Sequence, residues 1–395
     1  MSSPSRQGRT YTWYCHVMVP SGGVQGRRLS SNLSDKEVDK LVSVQDAESS
    51  QLMWELLNSC GGGEGREGLT AYYRGKDSDP QSRALRFFTV QEEWAGILYQ
   101  GQAPPVDIFP WAARRFYHEL LSETQARVTA GKPADYFLGR LIRDQEEAVQ
   151  SGRAKDVYSQ LELDYIGCFL LEGGADTTAA AFETFLLAMA AYLEIQKLAQ
   201  EEVDKVFRPE NMPHLAEGET LPFLKACFLE ALRWRSPFPT AFPHADTADD
   251  TYQGCSIPKG TTIIANAWAI SHDPDEFEDP DTFHPQRYLD SPFGIKSKPE
   301  KDKRVEDGEG YGAALGTKAV DSSEASSSGR RQTYAFGAGR RVCAGHRMAE
   351  NSTMMLMAKT MWCFDVVYGG DEETGCQCSH RLEGFHHHGA EVVPC

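Results

Sequence analysis

The chain has 395 residues, 41% of them hydrophobic and 25% charged, enough for one large domain or two ordinary ones. Its formal net charge of −17 argues against a broad phosphate-binding surface, and so against nucleic acid as a partner. Ten cysteines over this length do not make a small disulfide scaffold, no signal peptide opens the chain, and no uninterrupted apolar run is long enough to cross a bilayer; reduced thiols, an intracellular setting and no membrane span are the expectation.

Residues 1–34 show no sustained period and read as irregular. From Ser34, SDKEVDKLVSVQDAESSQLMWELLNS sets a Ser or Asp cap ahead of apolar residues at helical spacing, which predicts a helix that stops at GGGEGREG. Gly63, Gly65 and Gly68 there match G-x-G-x-x-G, but they follow a helical segment and no strand-helix-strand crossover surrounds them, so the run reads as a flexible turn. Residues 81–155 read as helices broken at Pro104 and Pro105, with the aromatic DIFPWAARRFYHELL leading into a charged amphipathic helix.

Residues 161–207 are apolar almost all round in their middle and then more polar, which predicts a long buried helix crossing the core and a second helix after it. LPFLKACFLEALRWRSP is a shorter helix ended by Pro237, and TYQGCSIPKGTTIIANAWAISHDP alternates and turns like small strands. The fold class is therefore mainly α with a minor β component. Residues 296–330, first charged and then small and polar, hold too little apolar surface to fold alone and read as a disordered surface insertion.

The chemistry concentrates in FGAGRRVCAGHR, Phe336 to Arg347. Glycines at 337, 339 and 345 permit tight turns, and a cysteine just ahead of a helix lies where amide hydrogens and the positive helix end favour thiolate, an environment suited to a metal-bound sulfur. The run resembles the haem-binding loop of the cytochrome P450 family, Phe-x-x-Gly-x-Arg-x-Cys-x-Gly, with Phe336, Gly339, Arg341, Cys343 and Gly345 in every fixed place. The resemblance implies that Cys343 is the axial thiolate ligand on the iron of haem b (iron protoporphyrin IX), that Arg341 pairs with a propionate, and that Phe336 packs beside the sulfur. It also implies a triangular, helix-rich haem-thiolate fold with a long central helix.

Three further segments resemble the same family. In GGADTT, Gly173 and Thr177 share a helix face, and adjacent glycines cost about 1 kcal/mol each against Ala in a helix interior. The family's central helix carries a like segment, in which small residues such as Gly173 open a groove over the haem and an acid-alcohol pair, here Asp176 and Thr177, relays protons. Glu230 and Arg233, with Arg287 in FHPQRYL, resemble the family's buried Glu-Arg-Arg network, whose implied role is structural. In PFPTAFPHA, His244 stands where relatives often place a propionate contact.

The match runs from about residue 35 to about residue 370, and the texture between the motifs is similar to filamentous-fungal, microsomal-type members. On this reading residues 35–395 form the P450-like domain. Relatives carry an N-terminal anchor, a first sheet and a helix whose Trp and Arg contact a propionate, whereas Trp13 has no Arg four residues on, so the chain reads as N-terminally truncated or misassembled. In the tail, Cys376, Cys378, His380 and His386 to His388 lack zinc spacing, and a terminal β-hairpin around Glu383 to Phe385, bordering the substrate pocket, is expected instead.

The resemblance implies a monooxygenase that inserts one atom of dioxygen into a small, mostly apolar organic substrate, a secondary metabolite or xenobiotic. Electrons would come from an NADPH-cytochrome P450 reductase on the cytosolic face of the endoplasmic reticulum. A haem-thiolate isomerase, dehydratase or peroxygenase, and a haem-deficient truncated member, stand as the alternatives.

Overall fold

A computed structural model describes residues 38–60, 109–132, 136–152, 157–208, 212–214, 221–296, 331–368 and 390–394. The irregular N-terminal segment with Trp13, the cap of the first predicted helix, the turn at 61–68, the break at Pro104 and Pro105, residues 297–330 and the Cys/His tail lie outside them. Chain contacts divide the described residues into two units, and the division falls within one long helix, between Asp176 and Thr177.

The first unit holds α1's successors in the chain. With α1 defined as Val42–Cys60, these are α2 (Phe109–Thr129), α3 (Phe137–Gln150) and the first part of α4 (Gln160–Ala191). Leu121 of α2, Leu141 and Ile142 of α3, Tyr158 just before α4 and Leu163 in its first turn form its apolar centre. Asp164, buried beside them, accepts from Gln160 Nε2 at 3.2 Å and pairs with His118 Nδ1 at 3.0 Å.

The same unit takes in short strands. β2 (Asp250–Tyr252) and β3 (Cys255–Ile257) pair antiparallel with Tyr252 opposite Cys255. Their two-residue connection, Gln253 and Gly254, has φ of 49° and 81°, the left-handed pair that a tight hairpin turn requires. β1 (His244–Ala245) pairs with β4 (Thr262–Ile263).

The second unit contains the larger core. It joins α1, the rest of α4, α5 (Leu193–Val206), α6 (Pro222–Trp234), α7 (Ala267–Ser271), α8 (Gln286–Asp290), α9 (His346–Cys363), and the strands β5 (Phe364–Tyr368) and β6 (Ala390–Pro394). The predicted pair of helices over 161–207 is α4 and α5, which meet at Tyr192 with a bend of 111°. Tyr192 fixes that corner: its hydroxyl accepts from Phe283 N at 3.3 Å, and its ring lies 6.1 Å from Trp234 and 5.8 Å from Phe283.

Polar side chains close the ends that apolar packing leaves open. The N-terminus of α6 presents unpaired amides, and the Glu202 carboxylate on α5 accepts from Phe223 N and Leu224 N, both at 2.8 Å, where the positive helix end favours an anion. Buried Gln196 on α5 donates to Val366 O at 2.8 Å and accepts from Val366 N at 2.7 Å, satisfying β5 on the side away from β6. β5 and β6 are antiparallel, Phe364 opposite Pro394; the terminal hairpin expected around Glu383 to Phe385 lies outside the described residues.

One expectation is corrected. AWAIS, read as part of an alternating strand-like segment, is the helix α7, because the Asn266 side chain accepts from Ala269 N at 3.0 Å and caps it. Among the described residues no single helix is long and apolar enough to cross a membrane.

Two buried ionic clusters pin this unit. Lys359 of α9 is 0% exposed, and its ammonium donates to Asp46 O, Asp46 Oδ1, Ser49 Oγ and Ser50 Oγ of α1 at 2.7–2.9 Å. Glu230, Arg233 and Arg287, at 0%, 2% and 7% exposure, come together as one network. Arg233 grips Glu230 with two bonds of 2.8 Å, Arg287 Nε approaches the same carboxylate at 3.2 Å, and His284 N donates to it at 2.8 Å. Arg233 also donates to the carbonyls of Ser271, Pro280 and Thr282, and Arg287 Nη1 to that of Glu278.

Removing one partner strands the others without water. Glu230→Gln is expected to lower the unfolding free energy by about 3–5 kcal/mol, read as a shifted urea midpoint at unchanged slope. Lys359→Met, whose partner Asp46 is partly wet, is expected to cost about 2 kcal/mol in the same measurement.

Candidate functional site

The segment that enters the cysteine loop rests on the core of the second unit, against which Ala335 and Phe336 pack. From there the backbone must reverse within a few residues. Gly337 and Gly339 adopt φ of 72° and 66°, a region that side chains resist, and Gly339–Arg341 forms a single 3-10 turn. The loop closes where Cys343 N donates to Phe336 O at 2.8 Å. Helix α9 begins three residues later, Ala349 N bonding to Gly345 O at 2.9 Å.

The Cys343 side chain is exposed on this loop, and a Cβ at Gly345 would stand 3.9 Å from its sulfur. Two effects act on the thiol. Loss of water around the sulfur pushes its pKa up, and a hydrogen bond from the Gly345 amide pulls it back; desolvation wins. The expectation that glycine amides and the helix end alone favour thiolate is thus corrected in balance, though the amide contribution is present. A cation at the sulfur reverses the balance outright.

The donor set decides what cation fits. Among the described residues no group of three His, Cys, Asp or Glu side chains could hold a bare metal ion. What the loop presents is one soft sulfur, with open space where a Cβ at Gly339 would stand. That suits an iron macrocycle attached through a single axial thiolate, as in haem. Arg341, also exposed, lies two residues before the sulfur.

The other candidates take their places on their elements. Gly173, Gly174 and Asp176 of α4 are exposed and Thr177 is half-buried, and a Cβ at either glycine would meet nothing within 4 Å. The two glycines are therefore not explained by close packing of the described chain. His244 is exposed on β1. Glu230, Arg233 and Arg287 form the buried network already described.

Sequence reasoning missed a group beside the loop. His346, the first residue of α9, lies with its ring centroid 4.3 Å from that of Phe336 and its Nε2 3.5 Å from Glu350 Oε2. Glu350 Oε1 in turn bonds Lys225 Nζ of α6. The i, i+4 spacing of His346 and Glu350 was the available signal, but that spacing is common on any helix surface, and nothing local pointed to Lys225.

With this geometry in hand, likeness to known proteins is informative. The sequence pattern of the cytochrome P450 family matches residues 112–380. A cytochrome P450 monooxygenase of Arthrobotrys oligospora is 28% identical over 357 residues, 82% of this chain and 60% of that protein. Cytochrome P450 monooxygenase atE of Aspergillus terreus is 30% identical over 301 residues, 71% of this chain and 50% of that protein. The chain spans about half to two thirds of the length of such relatives. In fold it is similar to a zebra fish cytochrome P450 structure with abiraterone, with a TM-score of 0.63 and 19% identity, covering 93% of this chain and 78% of that one. A match over most of the sequence, with an exposed cysteine on a glycine-turned loop ahead of α9, has one reading: the chain belongs to the cytochrome P450 family.

Proposed function

We propose that this chain forms the haem-thiolate part of a monooxygenase that places one oxygen atom of dioxygen on a small, mostly apolar organic substrate. The observation that supports it above all is the Cys343 loop: a free, exposed sulfur with an amide hydrogen bond from Gly345, on a chain of this family. Haem held by this thiolate would supply the iron chemistry that activates dioxygen.

The chain's own residues do the rest. Cys343 would be the thiolate that holds the iron, on a loop closed by its amide bond to the Phe336 carbonyl. Arg341 and His244 would each offer a polar contact to a haem propionate. Gly339 and Gly345 keep the loop thin enough for backbone amides to reach the sulfur, which tempers its basicity. On α4, Gly173 leaves room for small molecules, the Asp176 carboxyl holds a proton, and the Thr177 hydroxyl passes it on. Electrons come from an NADPH-cytochrome P450 reductase, and the setting is the cytosolic face of the endoplasmic reticulum, as for the microsomal-type members the sequence resembles.

Two measurements test this. The purified chain, reduced and exposed to carbon monoxide, is expected to give the strongly red-shifted Soret band of thiolate ligation, lost in Cys343→Ser; wild-type protein without that band overturns the reading. With a reductase and a turned-over substrate, Asp176→Asn is expected to slow product formation roughly a hundredfold at unchanged haem content, since positioned proton transfer contributes about that much. Full activity in Asp176→Asn removes that residue from the proton path.

A further inference from the structure

Lys225, Glu350, His346 and Phe336 make a continuous line from α6 to the backbone of the cysteine loop, all within the second unit. Lys225, in the first turn of α6, bonds Glu350 Oε1, and its ammonium also sits 5.2 Å from the centre of the Phe228 ring. Glu350 turns its other oxygen to His346 Nε2 at 3.5 Å. The His346 ring lies at 4.3 Å and 53° to Phe336, whose carbonyl accepts the Cys343 N–H at 2.8 Å.

Each polar member is largely covered, with side-chain exposures of 30% for Lys225, 20% for Glu350 and 26% for His346. A fully wet ion pair contributes little because water screens it and its side chains wander. Here Phe228 on one side and Phe336 on the other restrict both ends, so the carboxylate is held between the Lys225 ammonium and the His346 imidazole.

We propose that Lys225, Glu350 and His346 form a positioning strut that fixes Phe336, and through it the Cys343 loop, against α6. These are positioning residues, acting on the sulfur through Phe336. The loop's two left-handed glycines explain why a strut is needed: Gly337 and Gly339 make the reversal possible but also leave it soft. The strut holds the loop from its helical side, where the chain becomes regular.

Its consequence for iron ligation rests on the haem-thiolate reading, so the test has two arms. In the first, Lys225→Met and Glu350→Gln are each expected to lower the thiolate-type fraction of the carbon monoxide spectrum at least twofold against wild type. Lys225→Arg, which keeps the cation, is expected to retain it, and the double variant to be no worse than the more affected single. In the second arm, which needs no haem, amide hydrogen exchange at Cys343 is expected to speed up at least tenfold in both single variants, while the Val366 amide, held by Gln196, exchanges as in wild type. Wild-type spectra together with wild-type exchange at Cys343 overturn the strut. Uniformly faster exchange, Val366 included, overturns it as well, in favour of general destabilisation. If wild type itself lacks the thiolate band, the haem reading fails and the exchange arm alone decides the strut.

Discussion

The carboxylate of Glu230 is the constraint on which the second unit's irregular half depends. It has no contact with water, yet it accepts from two guanidinium groups and from the His284 backbone amide. Residues 272–285 contain almost no regular structure, so their carbonyls have neither helix nor sheet to satisfy them. Arg233 and Arg287 supply that missing order by donating to the carbonyls of Glu278, Pro280 and Thr282, and Arg233 also reaches that of Ser271 at the end of α7. The anion holds the cations, and the cations hold the chain.

Such an arrangement is not an efficient source of net stability, because desolvating three charges costs several kcal/mol per ion before their attraction is counted. What it provides is geometry. An apolar cluster tolerates many packings of similar volume, whereas a planar guanidinium that must meet a carboxylate with two bonds and still reach three carbonyls accepts few. Lys359 does the same between α1 and α9 with a point charge, gathering two hydroxyls, a carbonyl and a carboxylate around one ammonium. In both cases the helix contributing the charge is also one that the apolar core has placed, so packing sets the approximate position and the ions select the register.

Much of this organisation was legible in the sequence. The long helix, its successor and α6 follow from apolar spacing and from the proline after Ser236. The Cys343 loop was legible because its glycines, cysteine and arginine are contiguous. The Glu230, Arg233 and Arg287 association was legible only through family resemblance, since a Glu-x-x-Arg spacing alone fits any helix surface. α7 was misread because alternation in TIIANAWAIS obeys a strand period, while the deciding interaction is one Asn266 side chain on one amide. Lys359 and Lys225 were invisible for a more general reason. A lysine amid methionines or at a helix start looks like surface charge, and its partners lie more than a hundred residues away in the chain.

The sulfur shows how these layers meet. A cysteine that is to carry a metal must be accessible, yet an accessible thiol on a soft loop is easily misplaced or oxidised. The chain reconciles the two by fixing everything around the sulfur while leaving the sulfur open. Phe336 is anchored in the core, the Cys343 amide is tied back to Phe336, and α9 begins immediately after Gly345. The thiol's pKa is raised because the surrounding protein displaces water from it, more than the Gly345 amide compensates. A protonated sulfur is the less reactive form, and the Gly345 amide remains aimed at it. The loop thus leaves the thiol open to a partner while burial holds its pKa above the ordinary value and the Gly345 amide pulls the other way.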